Sequence, residues 1–268
     1  MKFPRQQVTW KPDLLFPVDD PKVWGGPLLF IRSITRPSGS LFAFTVKEND
    51  VRETEKDLKS LLAPIEEEDI LVTSTIIEDK DFLHGAKLVI QTLKAGTFKP
   101  NILFLTVGSD SSKDHVIQEL VSEASRHELG SMILRQHPRV AFGMQNSVNL
   151  WLRYRSPNWQ LAMLIALQIQ SNWEGTINLV TVTPDKADEW RMYEFLEHLS
   201  DEARLPSMTD FHVIVGSFEE SLHAAPRADA NIFGLSGHLD FDFMRRCTKL
   251  TESSCLFVKD SGRASALA

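Results

Sequence analysis

The stretch from Asn149 to Thr183, NLWLRYRSPNWQLAMLIALQIQSNWEGTINLVTVT, has an earlier echo in the same chain. Shifted by 136 positions, Leu150, Ile177 and Val182 fall on Leu14, Leu41 and Val46, inside DLLFPVDDPKVWGGPLLFIRSITRPSGSLFAFTV. Both stretches have the grammar strand, helix, strand. A short apolar run is followed by a segment apolar at helical spacing and then by a run rich in β-branched residues. The same unit met twice at one spacing predicts a duplicated α/β fold.

The rest of the chain extends each copy in the same alternation. In a first lobe, 13–137, strands are expected at 14–18, 41–46, 70–77, 102–107 and 131–134, with helices within 21–34 and at 51–62, 83–93 and 113–128. Residues 138–147, with Pro and Gly and no periodicity, read as a linker. In a second lobe, 148–259, strands are expected at 149–154, 177–183, 211–215, 231–235 and 255–258, and helices at 159–171, 187–203, 218–224 and 241–250. The strands are nearly continuous Ile, Leu, Val and Phe, the pattern of parallel strands buried on both faces. The predicted fold class is therefore α/β, with two tandem doubly wound, mainly parallel five-stranded sheets of Rossmann-like kind related by internal duplication. Residues 1–12 read as a lead-in segment and 260–268, DSGRASALA, as a flexible tail.

Composition excludes several function classes. A formal charge of -7 with scattered Lys and Arg offers no basic stripe for a nucleic-acid backbone or an anionic membrane surface. The longest uninterrupted apolar run, 161–167, falls far short of the roughly 20 residues that cross a bilayer. Direct membrane insertion and a nucleic-acid partner are thus not expected. Cys247 and Cys255 stand at no metal-ligand spacing, and a reducing compartment is the simplest setting for them.

Several segments resemble the cytoplasmic C-terminal domain of the cation-chloride cotransporters of prokaryotic type. KPDLLFPVDDP with PLLFIRSITRPSGSLFAFTV is similar to that domain's opening strand, helix and strand. KPNILFLTV, 99–107, resembles the family's recurring Lys-Pro-Asn strand. The stretch beginning NLWLRYRSPNW resembles the start of its second lobe, and EWRMYEFLEHLSDEARLP, 189–206, the helix that follows. The resemblance implies a universal-stress-protein-like fold and a soluble domain on the cytoplasmic side of the cell membrane, attached to its own transmembrane transporter domain. It also implies regulation and homodimerisation with no chemistry, in a symporter of chloride with a cation such as potassium. On this reading residues 1–12 lead in from the membrane domain, and the chain is a fragment cut just after the last transmembrane helix. The long loops carrying phosphorylation sites in animal members are missing.

Ligands of doubly wound sheets sit beyond the carboxyl ends of the strands, where strand order reverses. Two turns qualify as weak nucleotide-binding candidates. GSDSSKDH, 108–115, contributes Gly108 and Ser109 ahead of a helix whose first N–H groups and positive dipole end could receive an anion. The plainer reading makes Asp110, Ser111 or Ser112 the helix N-cap, with Asp114 in the first turn. GLSGHLDFDF, 234–243, contributes Gly234 and Gly237. Universal stress proteins that hold ATP resemble this GxxG, then continue about nine positions on with a third glycine and a hydroxyl residue, where this chain has Phe243 to Cys247 and no glycine. A tandem nucleotide sensor or weak ATPase is the alternative function. Neither turn has the spacing of a P-loop.

No catalytic residue, metal site or cofactor is expected. The histidines stand singly, without HExxH, and no GxSxG elbow occurs. Asp19, Asp20, Glu78 and Asp79 lie at strand exits without pairing in sequence, and Glu66, Glu67, Glu68 and Asp69 read as a solvated helix end. The helix at 159–171 is apolar all round, which requires cover on every side, either within the chain or at a subunit interface. Trp151, Trp159 and Trp173 surround it in sequence.

Overall fold

A computed structural model describes residues 10–21, 25–93, 96, 98–154, 156–235 and 237–264. Most of the 1–12 lead-in and the last residues of the tail lie outside this set. The chain divides into two compact units, one of residues 11–134 and one that includes everything from 135 onward.

The first unit alternates β1 (Asp13–Pro17), α1 (Gly25–Thr35), β2 (Ser40–Val46), α2 (Val51–Glu66), β3 (Leu71–Ile77), α3 (Phe82–Leu93), β4 (Ile102–Thr106), α4 (Asp114–Arg126) and β5 (Gly130–Arg135). Its strands run in the order β3-β2-β1-β4-β5, every pair parallel. The second unit repeats the scheme. Its elements are β6 (Ser147–Trp151), α5 (Trp159–Trp173), β7 (Thr176–Thr183), α6 (Glu189–Glu202), β8 (Thr209–Val215), α7 (Phe218–Ala224), β9 (Ala230–Gly234), α8 (Phe241–Thr251) and β10 (Ser254–Lys259). They run in the order β8-β7-β6-β9-β10, again parallel throughout.

The duplication holds down to register. Leu14 pairs with Leu41 and Ile102, and Val148 pairs with Ile177 and Ala230. The counterpart of Leu14 is therefore Val148, not Leu150, so the single spacing of 136 fits β2 and β7 but is two residues off in the first strand. A slip of two keeps inward-facing positions inward, which is why the apolar pattern still matched.

Element ends differ from expectation where local chemistry intervenes. α2 runs through Pro64, because proline forfeits only one ladder bond there and Ile65, 2% exposed, anchors the last turn in the core. β6 stops at Trp151 because a tight turn follows, with the Ser156 N–H donating to Arg153 O at 2.9 Å. α6 is preceded by one 3-10 turn, Lys186–Asp188, whose cap Asp185 accepts the Ala187 N–H at 2.9 Å.

The end of the 138–147 segment is anchored by one distant side chain. The carboxylate of Asp229 accepts three backbone N–H groups, from Met144 at 3.0 Å, Asn146 at 2.7 Å and Ser147 at 3.1 Å. Helix α5 is covered within the chain. Met163, Ile165, Ala166 and Ile169 are each fully buried, and the helix lies against β6, β7, β9 and β10. A bare helix face awaiting a second subunit is not what its composition signals. The acidic end of α2 is only partly solvated, since Glu68 is half-buried and pairs with Arg32 at 3.0 Å and Arg36 at 3.2 Å. In the same unit Glu123, 3% exposed, is held by Gln91, Arg126 and His127. The Gln91 amide bond is the main reason its carboxyl titrates below the usual range.

Candidate functional site

In each sheet the strand order reverses between its first and fourth strands, and the turns leaving those strands frame the crevice where a ligand of such a fold would bind. In the first unit these are the turns after β1 and β4. Asp19, from the first, pairs with Lys113, from the second, so an ion pair joins the two turns. Within the 108–113 turn Asp110 Oδ1 accepts the Ser112 N–H at 2.9 Å and the Ser112 hydroxyl. This side-chain turn replaces the expected cap. The N-cap of α4 is Lys113, whose ammonium has no acceptor to offer a backbone N–H, and Asp110, three residues earlier, closes the side-chain turn instead. Asp114 does sit in the first turn. Around Gly108 the nearest atom to an added Cβ is Asp110 O at 3.9 Å, so no steric demand explains glycine there.

The second unit has the corresponding turns after β6 and β9, and here side-chain amide chemistry joins them. Asn158, 4% exposed, donates through Nδ2 to Leu235 O and accepts through Oδ1 the Asp260 N–H at 2.9 Å. Asp260 in turn accepts the Leu161 N–H in the first turn of α5 at 3.1 Å, so its carboxylate sits at a helix N-terminus in the place an anionic ligand would favour. Gly234 belongs to this closure. A Cβ there would press against Asn158 Cβ and Ser156 Oγ, each at 3.2 Å, so the glycine makes room for Asn158. Gly237 has nothing within 4 Å of an added Cβ. The structure thus brings Gly234 to the Asn158 closure and leaves Gly237 beyond it.

Beneath these turns the ends of β6 and β9 are filled by aromatics. Trp151 stacks on Phe233 at 5.4 Å between ring centroids, and Phe233 stacks on Phe257 at 5.4 Å. Phe218 meets Trp151 edge-on at 5.6 Å and lies tilted against Phe243 at 5.7 Å. Of the three tryptophans around α5, Trp151 joins this cluster and Trp173 contacts Phe142 at 6.4 Å, while Trp159 is half-buried at the helix start.

One feature of the second sheet escaped the sequence reading. Asn178, Asn149 and Asn231 stand side by side on β7, β6 and β9 in one register row. Asn178 Nδ2 donates to Asn149 Oδ1 at 2.7 Å, and Asn149 Nδ2 donates to Asn231 Oδ1 at 3.1 Å and to Pro226 O at 2.7 Å. The Trp151 indole donates to Asn231 Oδ1 at 2.8 Å, and Asn231 Nδ2 donates to Ser253 Oγ at 2.6 Å. The corresponding row of the first sheet is Phe42, Leu15 and Leu103, wholly apolar. A cavity of about 140 Å³ opens beside Asn149 and Asn231, with His223, Arg227 and Glu252 on its walls. The only signal in sequence was one asparagine in each of three otherwise β-favouring strands.

The remaining candidates are local. Asp79 accepts the Asp81 N–H at 2.9 Å and meets His84 Nδ1 at 2.5 Å, and the first of these contacts chiefly holds its carboxyl below the ordinary value. Both cysteines are fully buried and free, and burial pushes the Cys255 thiol up to about 11 and the Cys247 thiol higher still. Among the described residues no cluster of His, Cys, Asp or Glu could hold a metal ion, and no helix is long and apolar enough to cross a membrane.

The fold these elements define is that of a tandem universal stress protein. A universal stress protein from Archaeoglobus fulgidus DSM 4304 is similar at TM-score 0.60 and 13% identity, over 92% of this chain and 96% of its own. A functionally unknown protein, PA1789 from Pseudomonas aeruginosa PAO1, is similar at TM-score 0.60 and 12% identity, over 93% and 92%. Two family models then match end to end, the first and second parts of the C-terminal domain of prokaryotic cation-chloride cotransporters, over residues 16–142 and 143–267. The crystal structure of the cytoplasmic domain of a prokaryotic cation chloride cotransporter matches at TM-score 0.86 and 31% identity, over 96% of this chain and 98% of that one. The chain belongs to this family of cytoplasmic cotransporter domains. A comparison with curated proteins finds no match.

Proposed function

We propose that this chain is the non-enzymatic regulatory and dimerisation module of a cation-chloride cotransporter, with residues 1–12 leading from the membrane domain, lobes at 13–137 and 148–259, and 138–147 joining them. The observation that carries the reading is the state of the two switch-point crevices. Each is spanned by the chain's own side chains, Asp19 with Lys113 in one lobe and Asn158 with the Leu235 carbonyl and the Asp260 amide in the other. A fold whose ligand crevices are bridged by its own side chains serves by being rigid and by being attached. Its influence on transport is then exerted as a body that holds or releases the membrane domain.

The test is ion flux through the complete cotransporter in vesicles, with and without this domain, at equal amounts of inserted protein. Flux that changes at least about five-fold when the domain is removed is the expected result. Unchanged flux with unchanged self-association of the transporter would overturn the reading.

A further inference from the structure

β8 is the last strand of the second sheet, and its outer edge has the chemistry to pair with itself. Along a strand, backbone N–H and C=O groups point to alternate sides. Gly216, one residue past β8, donates its N–H to Thr183 O of β7 at 2.9 Å, so the even-numbered positions face β7 and Phe211 and Val213 face outward. Thr209 agrees, since its N–H bonds to Pro206 O at 3.0 Å instead of to β7. Along this edge runs a groove of about 530 Å³ lined by Trp190 and Tyr193 of α6, Phe211 and Val213 of β8, and Ala224 and Pro226 at the exit of α7. Trp190 is 69% exposed and stacks on Tyr193 at 6.3 Å, which in turn meets Phe211 edge-on at 5.7 Å.

We propose that a second copy of this chain occupies this edge, β8 against β8, antiparallel about a twofold axis at Phe211. The proposal rests on the self-association reading above and names its surface. Charge selects the register. Phe211 faces outward, so at the axis it exchanges backbone bonds with its own copy, and the adjacent non-bonded positions bring Asp210 of each chain against His212 of the other. Side chains approach most closely at such positions, and the symmetry supplies the pair twice. Centring the axis on Asp210 or on His212 sets like groups against each other, and centring it on Val213 sets His212 against Ile214. Asp210 is exposed, and a charge on an edge strand blunts every pairing that does not answer it. The corresponding edge of the first sheet, β3, is LVTSTII and carries no charge to choose a register.

The test is sedimentation equilibrium of the whole chain as wild type, as His212→Asp, and as the exchange Asp210→His with His212→Asp. The single variant sets carboxylate against carboxylate and should dimerise about ten-fold more weakly or worse. The exchange restores the pair and should return to within about three-fold of wild type, which also shows that the single variant had not merely misfolded. A dimeric wild type whose affinity His212→Asp leaves unchanged, or an exchange that stays as weak as the single variant, overturns this surface while the self-association reading stands. A wild type monomeric at every concentration overturns both.

Discussion

Replacing Leu164 by aspartate should cost about 4 kcal/mol or more, enough to unfold the second lobe under ordinary conditions. Leu164 is 5% exposed on a helix whose neighbours Met163 and Ile165 are fully buried. The carboxylate would enter an environment with no cation to pair with on its own helix, since α5 carries no Lys or Arg between Trp159 and Trp173. Leucine's packing is lost in addition. Leu164→Met keeps volume and polarity and should cost less than about 1.5 kcal/mol. Thermal unfolding of the two variants checks this directly. A folded Leu164→Asp variant with unchanged melting would mean that α5 is not the packed core of its lobe.

The second large effect is expected at Gly143, where alanine should cost about 2–4 kcal/mol. Gly143 has φ +51°, in the left-handed region that favours glycine, and an added Cβ would stand 2.0 Å from Asp229 Oδ1. The strain of a side chain in that conformation is the smaller part. The larger part is displacement of the Asp229 carboxylate from the N–H groups of Met144, Asn146 and Ser147. Asp229→Ala removes the same bonds without touching Gly143 and should be destabilised to a similar degree. Denaturant titration measures both. A Gly143→Ala variant within about 0.5 kcal/mol of wild type would show that the Asp229 contacts do not order this segment.

These two positions show where the sequence was legible. α5 announces itself as buried because ten contiguous residues carry neither charge, Gly nor Pro. The central strands of the first sheet were legible for the same reason, being apolar on both faces. Their register was not, because loops of different length separate equivalent strands, and one spacing cannot describe a repeat whose insertions differ. The order around Gly143 was not legible, because it comes from one distant carboxylate, and Asp229 carries no mark in sequence of what it will accept. The crevice closures were hidden in the same way. Lys113 and Asp19 are 94 positions apart, Asn158 and Asp260 are 102 apart, and nothing local pairs them. Gly234 looked like half of a phosphate motif, yet its contacts show it accommodating Asn158. The asparagine row was missed because each member appeared in a different strand, and only the register aligns them.

We propose that the two switch-point crevices, each spanned by the chain's own side chains, take no nucleotide. Calorimetric titration of the folded chain with ATP and with AMP tests it most directly, alongside variants carrying a bulky residue at Ser109 or Gly237. No saturable heat from wild type or variants is the predicted result. Saturable binding at about micromolar strength, abolished by substitution at Ser109 or Gly237, would contradict it and make the chain a nucleotide sensor.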